Sequence, residues 1–280
     1  MLKIKCIVCL KVNAPLLFVA KTIPYYSCSH CGHIFSTRVL EKPYEDYQHV
    51  EKYEKWREYL ENVFSRRVTD IQKYVKNGKA LDVGCSLGFF LNVLKAHGFQ
   101  AEGLEPSADA VKLCKKQGLR VYKGYLGDPL PKSGNYDVVI LNHVMEHLKD
   151  PRKGCRDIYK YLKPGGVVFI ESPNIASIEG ILGGKNWRYL YPEEHFSQFS
   201  PSSLSYLLTD TGFELLSCKT YAALFDFSDL KKELMRCLQK DPKRLLFYAW
   251  EFPLSALEML LHRGSAVSCI ARKPEKKLKR

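Results

Sequence analysis

Lys79-Ala-Leu-Asp-Val-Gly-Cys-Ser-Leu-Gly88 is the stretch that decides the fold. It starts as a short apolar strand, closes on Asp82 and Gly84, and turns through small residues. An amphipathic helix pattern follows over 88–97. Upstream, Asn77-Gly78 reads as a helix stop. Downstream the pattern repeats: strand at 100–105, helix at 107–117, strand at 120–123, and a further strand at 136–142. Asp150-Pro151 has the chemistry of a helix start, with Asp as N-cap and Pro at the first position. That helix is expected to end at Lys163-Pro-Gly-Gly166, before a strand at 167–171. Strands alternating with helices at this interval predict an α/β, doubly wound parallel sheet. Ligands of such sheets bind outside the carboxyl ends of the strands.

The chemistry-bearing residues fall at those ends. Gly84, Cys85, Ser86 and Gly88 let a ligand approach the backbone at the end of the first strand, where the next helix points its N–H groups. Glu105 ends the second strand, where a carboxylate can accept both hydroxyls of a ribose. Asn142 and His143 end the fourth. The segment lacks the GxGxxG of a nicotinamide site. The glycine loop alone discriminates little; with Glu105 it points to an adenosine-bearing ligand.

Four segments in order resemble the class I S-adenosylmethionine-dependent methyltransferases: Leu81-Asp-Val-Gly-Cys-Ser-Leu-Gly-Phe-Phe-Leu91, Gly103-Leu-Glu-Pro-Ser107, Asp137-Val-Val-Ile-Leu-Asn-His-Val-Met-Glu-His-Leu148 and Leu162-Lys-Pro-Gly-Gly166. The resemblance covers about residues 79–220. It implies a Rossmann-like seven-stranded sheet with a last antiparallel strand at 264–272, and S-adenosylmethionine as cofactor. It also implies roles. Asp82 and the Gly84 backbone hold the methionine amino end, and Cys85 and Gly88 line its approach. Glu105 takes the ribose, Pro106 the adenine edge, and Tyr125 and Leu126 border the adenine. Asn142 and His143 lie under the sulfonium. Ser86 stands where the family usually has its middle glycine, which is tolerable if its side chain faces away from the ligand. Cys85 is equally well read as a small packed residue.

Methyl transfer mainly requires alignment of the acceptor, and a base only where the acceptor is a weakly acidic hydroxyl. Three histidines are candidates: His143 and His147, flanking Glu146, and His195 in Tyr191-Pro-Glu-Glu-His-Phe-Ser197. A structural helix-cap role competes at His147. His195 lies on a loop expected to close over the acceptor, with Trp187 and Tyr189 as walls or core.

Cys6-Ile-Val-Cys9 and Cys28-Ser-His-Cys31, separated by 18 residues, have zinc-ribbon spacing and predict a structural zinc site within residues 1–43. Four thiolates close the shell, which leaves His30 and His33 as ordinary surface histidines. Residues 44–78 read as a linker whose apolar positions from Tyr53 to Phe64 form an amphipathic helix. That helix either packs on the next domain or caps its site. The methyltransferase domain is expected over 79–272, with a helical insertion at about 224–263 and a basic tail at 273–280.

The net charge of +13 sits at the two ends: residues 1–43 and 272–280 each carry six basic groups and one acidic. The body between them is nearly neutral. With no signal sequence in view, the expectation is a cytoplasmic enzyme that methylates a small-molecule or glycan acceptor, such as a sugar hydroxyl. An RNA methyltransferase gripping nucleic acid through ribbon and basic ends is the second reading, and a non-catalytic zinc-containing binding protein the third. Residues 245–261 and the basic tail are the candidate peripheral membrane contact. Oligomeric state is not legible.

Overall fold

The β-branched and leucine-rich runs form strands because their alternate residues can be buried on both faces of a sheet. Val138 and Ile140 pack with Val68, Phe90, Leu94 and Phe169 on one side. Val139 and Leu141 pack with Leu81, Ile158, Val168 and Leu207 on the other. This period of two, buried both ways, is what a central parallel strand requires. The structure, a computed structural model, describes residues 4–40, 56–131, 135–221, 257–258 and 260–275.

Five short strands come first: β1 (Ile4–Lys5), β2 (Val12–Ala14), β3 (Leu16–Ala20), β4 (Ile23–Ser27) and β5 (Ile34–Phe35). Helix α1 (Arg57–Ile71) follows. Then come β6 (Gly78–Val83), α2 (Phe89–Ala96), β7 (Phe99–Glu105), α3 (Ala108–Lys116), β8 (Val121–Lys123) and β9 (Tyr136–Asn142). The chain continues through α4 (Pro151–Tyr161), β10 (Leu162–Pro173), α5 (Ile178–Gly183), β11 (Ser197–Gln198), α6 (Pro201–Asp210), β12 (Glu214–Tyr221) and β13 (Ala266–Arg272). The main sheet has seven strands in the order β8-β7-β6-β9-β10-β13-β12. β13 runs antiparallel to both its neighbours, and the strands from β8 to β10 are parallel. The strand order reverses between β6 and β9, which opens a crevice at their carboxyl ends.

Side-chain caps set the helix starts. Asp150 accepts the Lys153 N–H with Pro151 in the first turn, as its sequence predicts. Ser107 caps α3, and Ser200 with Ser203 forms a capping box on α6. The Pro-Gly-Gly segment behaves differently from expectation. Helix α4 stops at Tyr161, and Lys163 to Gly166 lie inside β10 at a register shift between Leu162 and Val167. The glycines there serve a bulge, with Gly165 at φ +77°.

Two expectations for the N-terminal part are corrected. The ribbon shares a sheet with the catalytic domain: the order is β3-β4-β5-β11, with Ser197 opposite Phe35 and Gln198 opposite Ile34. His33 is fully buried, not a surface residue. It is stacked on Phe35 and tilted against Phe199, because the ribbon packs its second knuckle onto the domain beneath. Residues 41–55, most of the 224–263 insertion, most of 245–261 and the end of the basic tail lie outside the described residues. Among the described residues no helix is long and apolar enough to cross a membrane.

Candidate active site

The crevice holds a cavity of about 540 Å³. Its floor is the β6 and β7 ends, with Asp82, Gly84, Cys85, Ser86 and Glu105; its far wall is Asn142, His143, His147 and Glu171. Helix α1 forms the lid edge through Tyr59, Leu60, Val63, Phe64 and Arg67. The linker helix therefore caps the site and packs at once: Phe64 lies parallel on Phe90, with ring centroids 4.4 Å apart.

The floor is a backbone device. Gly84 and Gly88 sit at φ +72° and +79°, and a Cβ at Gly84 would meet Val144 at 2.7 Å. The loop can therefore pass under the β9 loop only as glycine. Ser86 also takes a left-handed φ, +51°, in the family's glycine position. Its N–H donates to Glu105 Oε2 at 2.9 Å, while Ser107 N–H donates to Glu105 Oε1 at 2.9 Å. Each carboxylate oxygen keeps a lone pair for a ligand hydroxyl. Burial pushes the Glu105 carboxyl above its ordinary value despite these donors. Asp82 lies well above its own, through burial first and the neighbouring Glu105 charge second. Two buried carboxylates raised in this way suit a ligand that brings hydroxyls and positive charge.

The far wall is made of side chains. His143, at φ +56°, turns its Nδ1 to 3.1 Å from Glu146 Oε1, and its own N–H donates to the Glu171 carbonyl at 2.9 Å. Burial alone would raise Glu146; the His143 hydrogen bond and the surrounding imidazoles bring it down to about 2. Burial acts to lower His143, and Glu146 outweighs it, holding the imidazole above its ordinary value. His195 is buried with Nδ1 3.1 Å from the Tyr189 carbonyl. Burial depresses it to about 4, so it is neutral near pH 7. Its ring meets His147 edge-on, with centroids 4.6 Å apart. One ligand atom from each of Glu146, His147 and His195 lies within 4.8 Å of the others.

The three candidate histidines thus come together around Glu146. His143 and His147 line the cavity, and His195 stands against His147. Of the cofactor-binding candidates, Asp82, Gly84, Cys85, Glu105 and Asn142 line the cavity. Cys85 is a packed residue, its sulfur filling the space beside Gly103. Gly88 begins α2, with the Leu119 side chain where its Cβ would be. Pro106, Tyr125 and Leu126 are not among the lining residues; Tyr125 is exposed and Leu126 packs on the core under Gly154. Trp187 is core, packed with Ile23 and Tyr25 of the ribbon.

The sequence reading missed Arg67 and Glu171. Arg67 Nε is 2.6 Å from Glu171 Oε2, both side chains are buried, and the guanidinium lies 3.5 Å from the Tyr221 ring centroid. Glu171 carried a signal, a charge closing the buried run Val-Val-Phe-Ile. Arg67 carried none beyond its place on α1.

The four cysteine sulfurs of the ribbon also lie within 4.8 Å of one another, with Cys9 to Cys28 at 3.4 Å and Cys6 to Cys31 at 3.6 Å. A tetrahedral shell with bonds of about 2.3 Å places its sulfurs roughly 3.8 Å apart. The donor set and spacing fit a four-thiolate site.

Residues 53–218 match the family model described as "Methyltransferase domain", more than half of the chain. The chain belongs to this family and is an S-adenosylmethionine-dependent methyltransferase. It is 28% identical over 173 residues to a ubiquinone biosynthesis O-methyltransferase of Rickettsia canadensis, covering 58% of this chain and 72% of the relative. It is 33% identical over 150 residues to the protein of that name in Methylococcus capsulatus, covering 49% and 63%. In fold it is similar to an S-adenosylmethionine-dependent methyltransferase from Archaeoglobus fulgidus, with TM-score 0.57, 22% identity and coverage of 81% and 100%.

Proposed function

We propose that this enzyme methylates a hydroxyl of a small-molecule or glycan acceptor, a sugar or a related compound, with the acceptor placed against the His143–Glu146–His147–His195 wall. The observation that carries this reading is His195, a buried imidazole kept neutral and fixed through Nδ1 to the Tyr189 carbonyl. A neutral imidazole beside the acceptor side of the cavity is what an oxygen acceptor needs and an amine does not. The names of the O-methyltransferase relatives support the same acceptor atom.

In this reading Glu105 accepts the ribose hydroxyls and Asp82 pairs with the amino group, which anchors the cofactor along the β6 and β7 ends. When bound, S-adenosylmethionine supplies a methyl group on a sulfonium that is already a strong electrophile. The excess of carboxylates around the cavity (Asp82, Glu105, Glu171 and Glu194 against Arg67) favours its positive charge. Helix α1 and the His195 loop exclude water and fix the acceptor in line; such alignment contributes roughly 7–11 kcal/mol in good cases. The His147–His195 pair takes the proton that the hydroxyl loses, and Glu146 balances the charge that results.

We further infer that Cys6, Cys9, Cys28 and Cys31 hold a structural zinc ion. A closed thiolate shell leaves no position for substrate. The ribbon's contribution is positional. Ser36 N–H donates to the Phe196 carbonyl at 2.8 Å, and Phe196 N–H donates to the Glu146 carbonyl at 2.9 Å. The ribbon edge, the His195 loop and the far wall form one hydrogen-bonded run.

The test is turnover of labelled cofactor against nucleotide sugars, lipid-linked glycans, quinone precursors and RNA, with His195→Ala beside the wild type. The expected result is transfer to a hydroxyl compound. His195→Ala should lower turnover by about 100-fold or more with cofactor affinity unchanged. Transfer to RNA alone, or equal loss of turnover and cofactor affinity, contradicts the reading.

A further inference from the structure

Glu146, His147 and His195 do more than a base requires. Glu146 is almost fully buried, and its second oxygen, Oε2, has no hydrogen-bond partner. An orphaned carboxylate oxygen in a dry wall is costly unless a ligand completes it. Two imidazoles lie within reach of it, one on the cavity wall and one behind, and the three ligand atoms fall within 4.8 Å of one another. Each flank is braced as metal ligands are. Because the Tyr189 carbonyl takes the Nδ1 hydrogen of His195, the lone pair is on Nε2. His143 Nδ1 holds the other Glu146 oxygen at 3.1 Å, which orients the carboxylate.

We propose that Glu146, His147 and His195 bind one divalent first-row transition-metal ion, distinct from the ribbon site, and that its open positions face the cavity and take two adjacent hydroxyls of the acceptor. Two histidines and one carboxylate make a facial set that leaves neighbouring coordination positions free. With metal–ligand bonds of about 2.0–2.2 Å, the three atoms would close to roughly 3–3.5 Å, an inward movement of about an ångström. The acceptor class narrows accordingly to a catechol or a vicinal diol. This inference rests on the reading of the far wall as the acceptor site and refines it. The imidazole lone pairs go to the ion, and the ion takes over from them the task of favouring loss of the hydroxyl proton, which leaves to water at the cavity mouth.

The probe is Mn²⁺, titrated by electron paramagnetic resonance into the full chain with its ribbon already loaded with zinc and with S-adenosylhomocysteine present. The wild type should bind one Mn²⁺ per chain. Glu146→Gln and His147→Ala should each weaken binding by at least about tenfold. His147 is only half-buried, so His147→Ala keeps the test available if the buried glutamate variant does not fold. Unchanged S-adenosylhomocysteine affinity certifies the fold of either. Catechol should bind the Mn²⁺-loaded protein at least about tenfold more tightly than phenol, as expected for two-point coordination. Absence of Mn²⁺, Co²⁺ and Zn²⁺ binding beyond the ribbon, or binding that survives both substitutions, overturns the proposal. If metal binding fails while His195→Ala still abolishes methyl transfer to a hydroxyl, the ion is lost and the O-methyltransferase reading stands. If the ion binds as described and no hydroxyl acceptor is methylated, the function fails and the metal site remains.

Discussion

The two halves of the cavity are held by different parts of the chain. The cofactor half is backbone: the ends of adjacent strands β6 and β7, two left-handed glycines, and a carboxylate fixed by the N–H groups of Ser86 and Ser107. The acceptor half is side chain: Glu146 and His147 after β9, Glu171 at the end of β10, His195 on a loop pinned by ribbon strand β5, and Arg67 from α1. A half made from consecutive residues survives damage elsewhere. A half made from five segments depends on all of them, and most of all on the zinc ribbon that holds one of its loops.

The largest expected effect breaks the halves apart. Removing zinc with a chelator, or Cys28→Ser, removes a site whose binding is worth on the order of 10–16 kcal/mol in isolated zinc modules. Residues 4–40 should unfold, β11 should lose its partner strand, and turnover should fall to background. Hydrogen exchange with zinc analysis reads this directly: protection is lost in the ribbon and around 195–199 and kept in β6 and β7. A metal-free protein that retains its fold and its turnover contradicts the zinc assignment.

A smaller effect sharpens the cofactor half. Burial raises Asp82 and Glu105 in the ligand-free protein. A group raised on folding adds stability below its unfolded pKa and loses it as pH rises through the folded value, so these two carboxylates cost the ligand-free fold stability above the ordinary carboxylate range. A cationic cofactor favours their charged forms. Binding should therefore release protons, and cofactor affinity should climb with pH above the ordinary carboxylate range. Calorimetry in buffers of different ionisation enthalpy measures the release; proton uptake on binding would reverse the assignment.

The smallest effect concerns Ser86. A non-glycine residue in the left-handed region costs roughly 1–2 kcal/mol, and glycine returns part of that as unfolded-state entropy. Ser86→Gly should shift stability upward by at most about 1 kcal/mol, with cofactor affinity within about twofold. Thermal unfolding and a binding isotherm check it. A tenfold loss of affinity would mean that the serine side chain touches the cofactor.

These halves also differ in how legible they are. Strand ends, helix caps and the floor of the site follow from local chemistry: the Asp82-to-Gly88 run, Glu105 closing an apolar strand and Asp150-Pro151 opening a helix all announce themselves within ten residues. The acceptor wall does not, because its contacts span the chain. The pairing of Phe35 with Ser197 joins residues far apart in sequence, and nothing local to His33 reveals that Phe199 will cover it. Arg67 is one charge among many on α1 until Glu171 is placed opposite it. The Pro-Gly-Gly segment misled for the opposite reason. Its residues do suit a helix stop, and the same lack of side-chain constraint also suits a bulge in β10.

The measurement that bears most directly on the whole account is S-adenosylhomocysteine binding by calorimetry to wild type, Glu105→Ala and His195→Ala side by side. If the cofactor lies along the β6 and β7 ends with its sulfur toward the histidine wall, Glu105→Ala should weaken binding by more than about tenfold, or about 1.4 kcal/mol, and His195→Ala should leave it unchanged. Affinity that ignores Glu105, or depends on His195 as strongly as on Glu105, would place the ligand elsewhere and remove the division on which this reading of the enzyme depends.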